Sequence, residues 1–178
     1  WNGRLKSMPL VHIKEILQGK HENEKVAIRG WVYRKREGKE TIFIVIRDST
    51  GFIQCTVKAG SPLWADAEKL TIESSLSLEG SVRLDKRAPG GYELAVDKIS
   101  IIGLAEVFPI AKDKSEEFLR DVRHLWLRSR RMNLVMKVRS AVLTFAHEFF
   151  KESGYVEVSP PMLVTSAVEG GSTLFGLK

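Results

Sequence analysis

Between residues 26 and 103 several short stretches carry apolar side chains at every second position, the spacing of half-buried β-strands. Val26-Ala27-Ile28-Arg29-Gly30-Trp31-Val32-Tyr33 alternates apolar with polar or small residues and runs into a basic cluster, Arg34-Lys35-Arg36. Glu37-Gly38-Lys39 has the composition of a hairpin turn. Thr41 to Asp48 alternates again, with Ile42, Ile44 and Ile46 on one face and Phe43, Val45 and Arg47 on the other. After the turn residues Ser49-Thr50-Gly51, Phe52 to Lys58 makes a third strand. Pro62 opens a helical segment ending near Leu70, since proline is tolerated in a first turn. Ser75 to Asp85 and Tyr92 to Gly103 are two further strands flanking Ala88-Pro89-Gly90-Gly91. Ahead of them all, Leu10 to Leu17 reads as a short helix or turn in which Val11, Ile13 and Ile16 partly share a face.

Three strands, a helix and two strands is the order of a five-stranded Greek-key OB barrel, a common binder of single-stranded nucleic acid. Another small β-barrel without nucleic acid fits the same order, and strand number alone does not separate the two.

The period then changes. Ala105 to Arg123 lacks sustained alternation and contains Pro109 and the charged run Lys112-Asp113-Lys114-Ser115-Glu116-Glu117. It reads as a hinge with one short helix that Ser115 could cap, or as a simple flexible linker. From about Leu134, Val135, Val138, Val142, Phe145, Ala146 and Phe149 fall at three- and four-residue steps. That is the stripe of an amphipathic helix facing a core. Gly154 can stop this helix, and Tyr155, Val156 and Val158 favour an extended strand that Pro160 and Pro161 end or confine to an edge. A second apolar run, Met162-Leu163-Val164, leads into a small-residue loop with one carboxylate, Thr165-Ser166-Ala167-Val168-Glu169-Gly170-Gly171.

Composition adds limits. With 43% hydrophobic and 28% charged residues, the chain is ordinary globular material with no apolar run of membrane-spanning length and no leader pattern. It opens on Trp1 rather than methionine, so the start is expected to be missing or processed. Cys55 is a single cysteine in a strand pattern, which suits a buried inert thiol and a reducing, cytoplasmic setting. The scattered His12, His21, His124 and His147 have no metal-ligand spacing, so no metal site is expected. The net charge of +6 is compatible with a polyanionic partner, and its larger share lies in the first 105 residues.

The strand faces narrow the chemistry. Phe43 points away from the isoleucines, near Gln54 of the adjacent strand, with Arg34 and Arg36 at the end of the first. An exposed phenyl ring can stack an unpaired base, an amide can read its edge, and cations can hold its backbone. Half-buried packing is the competing use of Phe43. Taken alone, Gln54 and Glu93 are ordinary strand polars.

The helix that Gly154 can stop, followed over 154–178 by strand, double proline and glycine-rich acidic loop, resembles motif 1 of a class II aminoacyl-tRNA synthetase and the substrate loop of its aspartyl/asparaginyl branch. Gly30-Trp31-Val32, Phe43 within TIFIVIRD, and Gly51-Phe52-Ile53-Gln54 resemble the anticodon-binding barrel of the same enzymes. The resemblance implies that Phe43 stacks on an anticodon base, that Gln54 and Glu93 read base edges, and that Arg34 and Arg36 contact backbone or base. It implies that Glu169 contacts the α-ammonium of the amino-acid substrate and that Pro161 lies at a homodimer contact built by motif 1. Asp121-Val122-Arg123-His124-Leu125 is similar to the stretch where the hinge enters the catalytic domain, which makes His124 structural.

Within that branch, SPPMLVTSAVEGGSTLF, DVRHLWLR and RAPGGYEL look like archaeal or eukaryotic-type asparaginyl-tRNA synthetases. The expected fold is therefore an OB-fold anticodon-binding domain over 1–104, a hinge over 105–124, and over 125–178 the start of an antiparallel α+β catalytic domain. The expected partners are tRNA(Asn), L-asparagine and ATP with Mg2+. The motif 2 and motif 3 arginines of the family are absent, so no catalytic residue is assigned and the chain is expected to be an N-terminal piece, inactive alone. An aspartyl-tRNA synthetase and a stand-alone OB-type RNA-binding module are the alternatives.

Overall fold

The computed structural model describes residues 8–110 and 114–163. Its elements run α1 (Ile13–Leu17), β1 (Lys25–Glu37), β2 (Thr41–Arg47), β3 (Phe52–Lys58), α2 (Trp64–Lys69), β4 (Ser75–Leu84), β5 (Tyr92–Gly103), α3 (Glu116–Asp121), α4 (Arg123–Trp126) and α5 (Arg130–Glu152). They fall into two compact units, Trp1–Lys112 and Asp113–Lys178.

In the first unit the strands close in the order β1-β2-β3-β5-β4, the five-stranded OB-type barrel expected from the sequence. All neighbours are antiparallel except β3 and β5, whose short parallel seam from Gln54–Glu93 to Thr56–Ala95 closes the wall. Alternation becomes burial. Val26, Ile28 and Val32 of β1, Ile42, Ile44 and Ile46 of β2, Ile53, Cys55 and Val57 of β3, and Leu76, Leu78 and Val82 of β4 fill the interior. Each fully buried aliphatic side chain contributes roughly 1.5–3 kcal/mol.

Strand β1 passes β2 closely at Gly30, where an added Cβ would strike the Arg47 carbonyl and the Ile46 side chain. Only a residue without Cβ lets the two backbones approach this way. Helix α1 adds Ile13 and Ile16 to the core, and α2 adds Ala67. The Asp48 carboxylate fixes α1 in place. It accepts hydrogen bonds from the Ile13 N–H at 2.9 Å, the Thr50 N–H at 2.7 Å and hydroxyl at 2.7 Å, and the Gly51 N–H at 2.8 Å.

The second unit holds α3, α4 and α5 and is irregular over 155–163. Ser115 Oγ accepts from the Phe118 N–H at 3.3 Å and caps α3, as its sequence position suggests. A second serine cap, Ser129 on the Met132 N–H, starts α5 at Arg130, before the apolar stripe begins at Leu134. The helix ends in a Schellman turn. Gly154 has φ +84°, its N–H donates to Lys151, and the Tyr155 N–H donates to Phe150. The Phe150 and Tyr155 rings meet edge-on at 5.5 Å, the apolar contact that accompanies such turns.

Two expectations need correction here. The α5 stripe does not face a core: no residue of α5 is buried, and Phe145 is 69% exposed. Tyr155 to Val158 has no strand pairing, because a strand exists through its ladder and no described segment lies beside this one. No helix among the described residues is long and apolar enough to cross a membrane.

Candidate nucleic-acid interface

The first unit gathers its chemistry on the outer wall where β1, β2, β3 and β5 meet. A β-bulge in β1 sets the arrangement. Its register with β2 runs Trp31–Arg47 and Val32–Ile46, then jumps to Arg34–Val45, leaving Tyr33 as the extra residue. One inserted residue reverses which alternate positions face outward. Before the bulge the even-numbered Val26, Ile28 and Val32 face inward; after it Arg34 and Arg36 are exposed. The basic cluster thus stays inside the ladder instead of ending the strand, and β1 extends to Glu37.

Register then places side chains in rows. Arg34, Val45, Gln54, Glu93 and Arg83 stand opposite one another across all five strands. The adjacent row holds Arg36, Phe43, Thr56 and Ala95, two residues further along, or about 6.6–6.8 Å. The Phe43 ring is half-buried and faces away from the core, with the Arg36 guanidinium 5.1 Å from its centroid. The Gln54 side-chain N–H donates to the Glu93 carboxylate at 3.3 Å.

A cavity of about 480 Å³ lies over these rows, lined by Arg34, Lys35, Arg36, Phe43, Val45, Gln54, Asp85 and Arg87. The last two come from the β4–β5 turn, where Arg87 donates through Nε and Nη2 to both oxygens of Asp85 at 3.2 Å. These side-chain bonds, with one from the Arg87 N–H, hold the Asp85 carboxyl below the usual carboxylate range.

The five barrel residues singled out from the sequence therefore meet on one outward face. Phe43, Gln54, Arg34 and Arg36 line the cavity, and Glu93 reaches it through its bond to Gln54. Pro161 lies exposed in the second unit, and Glu169 is outside the described residues. Sequence reasoning missed the bulge at Tyr33 and the Asp85–Arg87 pair. The pair carried a local signal, a carboxylate and a guanidinium two residues apart just ahead of Pro89-Gly90-Gly91. The bulge carried none. An aromatic face, two flanking guanidinium groups and an amide–carboxylate pair can stack, hold and read an unpaired base.

A family model of OB-fold nucleic acid binding domains matches residues 26–102, and a model of class II (D, K and N) tRNA synthetases matches residues 115–178. The chain is 46% identical over 169 residues to an asparagine–tRNA ligase of Thermoplasma acidophilum, covering 93% of this chain and 39% of the relative. It is 49% identical over 159 residues to that of Thermococcus gammatolerans, covering 88% and 37%. Among solved structures, asparaginyl-tRNA synthetase from Pyrococcus horikoshii complexed with asparaginyl-adenylate aligns with a TM-score of 0.83 at 40% identity. That alignment covers 98% of this chain and 41% of the other. The chain thus spans about two fifths of the length of the curated relatives it matches.

Proposed function

We propose, from the premise that this chain belongs to the asparaginyl-tRNA synthetase family, that its barrel binds the anticodon loop of tRNA(Asn) in a protein that joins L-asparagine to that tRNA. The observation that carries the reading is the convergence of Phe43, the Gln54–Glu93 pair, Arg34 and Arg36 on one outward face. Phe43 stacks a splayed base, Gln54 and Glu93 read its edge, and the two arginines hold phosphate or base. Residues 1–104 are then the anticodon-binding domain, 105–124 the hinge, and 125–178 the beginning of the catalytic domain.

The reaction of the whole protein follows from that membership. The asparagine carboxylate attacks the α-phosphorus of ATP and pyrophosphate leaves; the 3′-terminal ribose hydroxyl of the tRNA then takes the acyl group from the adenylate and AMP leaves. Glu169 would hold the α-ammonium of asparagine, where a desolvated ion pair gains strength. Pro161 and the exposed face of α5 belong to a homodimer contact. The Mg2+ expected with ATP has no seat among the described residues, where no three His, Cys, Asp or Glu side chains converge, and no step is assigned to it.

The test is a fluorescence-anisotropy titration of this chain with a labelled anticodon stem-loop of tRNA(Asn) and with the same stem carrying adenine at the three anticodon positions. The first binds more tightly by about tenfold or more, as expected when base-edge hydrogen bonds to a charged group are lost. Equal affinities would overturn the reading.

A further inference from the structure

Lys35 stands between two residues assigned to nucleic acid and borders the same cavity, yet its ammonium is tied back into the protein. The bulge at Tyr33 places Lys35 opposite Ile44, a core residue with no exposed surface, while Arg34 and Arg36 stand opposite Val45 and Phe43. The Lys35 side chain is only 17% exposed. Its ammonium donates to the Glu68 carbonyl at 2.6 Å and the Ala67 carbonyl at 3.5 Å, and meets the Glu37 carboxylate at 2.8 Å. The two carbonyls belong to the last turn of α2, where partial negative charge accumulates; that of Ala67 also accepts from the Leu70 N–H at 3.3 Å. Three N–H donors therefore have three acceptors, all supplied by the protein.

We infer that Lys35 is a positioning residue rather than an RNA contact: by tying β1 to the end of α2, it holds the post-bulge register that turns Arg34 and Arg36 outward. A strand that slips by one residue sends every side chain to the opposite face. The tie is placed between the two arginines, where such a slip would turn both of them inward and bring Lys35 out. Helix α2 thereby becomes part of the interface without touching the ligand. This inference rests on the proposed anticodon-binding reading only for its RNA readout.

Two measurements test it, one of them independent of RNA. The Arg36 guanidinium lies over the Phe43 ring, so its side-chain protons are expected to carry an upfield ring-current shift in NMR spectra of this chain. Lys35→Met should abolish that shift, and Lys35→Arg, which keeps a donor of similar reach, should retain it. An unchanged shift in a folded Lys35→Met chain overturns the inference whether or not the wild type binds RNA. If Lys35→Met does not fold, Lys35→Gln, which keeps one short donor, is judged by the same shift.

The second measurement is stem-loop binding over a range of NaCl concentrations. Lys35→Met should weaken binding by about fivefold or more in the wild-type background, yet by less than about twofold once Arg34 and Arg36 are both methionine, the non-additivity of coupled residues. A direct phosphate contact would instead lower the salt slope by about 0.7 in both backgrounds, and that equality would overturn the inference. Absence of any wild-type binding counts against the anticodon reading alone, and the NMR result still decides the role of Lys35.

Discussion

Gln54 and Glu93 face each other across the parallel seam that closes the barrel, and the amide of one donates to the carboxylate of the other at 3.3 Å. The bond uses one of the two amide N–H groups and leaves the second carboxylate oxygen as an acceptor. A pair held this way offers a donor and an anionic acceptor in fixed positions, which suits the mixed edge of a base. Glu93→Gln keeps the shape and removes the charge. Because hydrogen bonds to charged groups contribute about 1.5–3 kcal/mol, stem-loop affinity should fall by about tenfold or more. Thermal unfolding should shift little, within the about 0.5 kcal/mol typical of surface substitutions. Unaltered affinity would remove Glu93 from base reading.

Phe43 shares strand β2 with three core isoleucines but points to the other side, and an arginine rests on its ring. The barrel interior does not depend on it. Phe43→Ala should therefore leave the circular-dichroism spectrum unchanged and weaken stem-loop binding by ~1–3 kcal/mol, the worth of one base–aromatic stack. Loss of folding in this variant would show the ring to be a packing residue instead.

Asp48 links the stability of the barrel to pH. Burial pushes its carboxyl up, but hydrogen bonds from Ile13, Thr50 and Gly51 outweigh that and hold it below the usual value. A carboxyl depressed on folding stabilises above its unfolded pKa, near 3.9, and that stabilisation disappears as pH falls through the lower folded value. Urea midpoints should accordingly drop below about pH 4, with α1 detaching from the β2–β3 turn. Asp48→Asn should be less stable at neutral pH and show a shallower acid dependence. A variant that retains the full wild-type acid slope would place the titration elsewhere.

The sequence exposed most of the barrel because β2, β3 and most of β1 and β4 alternate apolar with polar positions, and turn residues fence the strands. β3 and β5 begin and end where their apolar patterns do. Orientation of Phe43 followed for the same reason, since Ile42, Ile44 and Ile46 commit the opposite face to the core. What stayed hidden depends on distant partners. The bulge at Tyr33 is set by pairing with β2, and a run of three cations reads locally as the end of a strand. The Gln54–Glu93 contact spans 39 positions and exists only once the barrel closes. The stripe on α5 is unmistakable as a pattern, but a pattern names a face and not its covering. Tyr155 to Val158 has strand propensity without a ladder. The early start of α5 came from Ser129, whose cap precedes two arginines that carry no periodic signal.

Cys55 gives a direct measure of how firmly the barrel closes. It has no exposed surface, and its neighbours across the ladder are Ile44 and Leu94. Burial pushes its thiol strongly upward, and the nearby negative charge of Glu93 adds to the shift. Since the thiolate is the reactive form, the native chain should be inert to a thiol reagent such as 5,5′-dithiobis(2-nitrobenzoate) at pH 8. Labelling should require opening of β3 from β2 and β5, so its rate should rise with urea along the global unfolding transition. Glu93→Gln removes the lesser cause and keeps the larger, so Cys55 should remain unreactive in that variant. Rapid stoichiometric labelling of the native chain would mean that the β3–β5 seam opens without unfolding, and the fixed Gln54–Glu93 geometry would be lost with it.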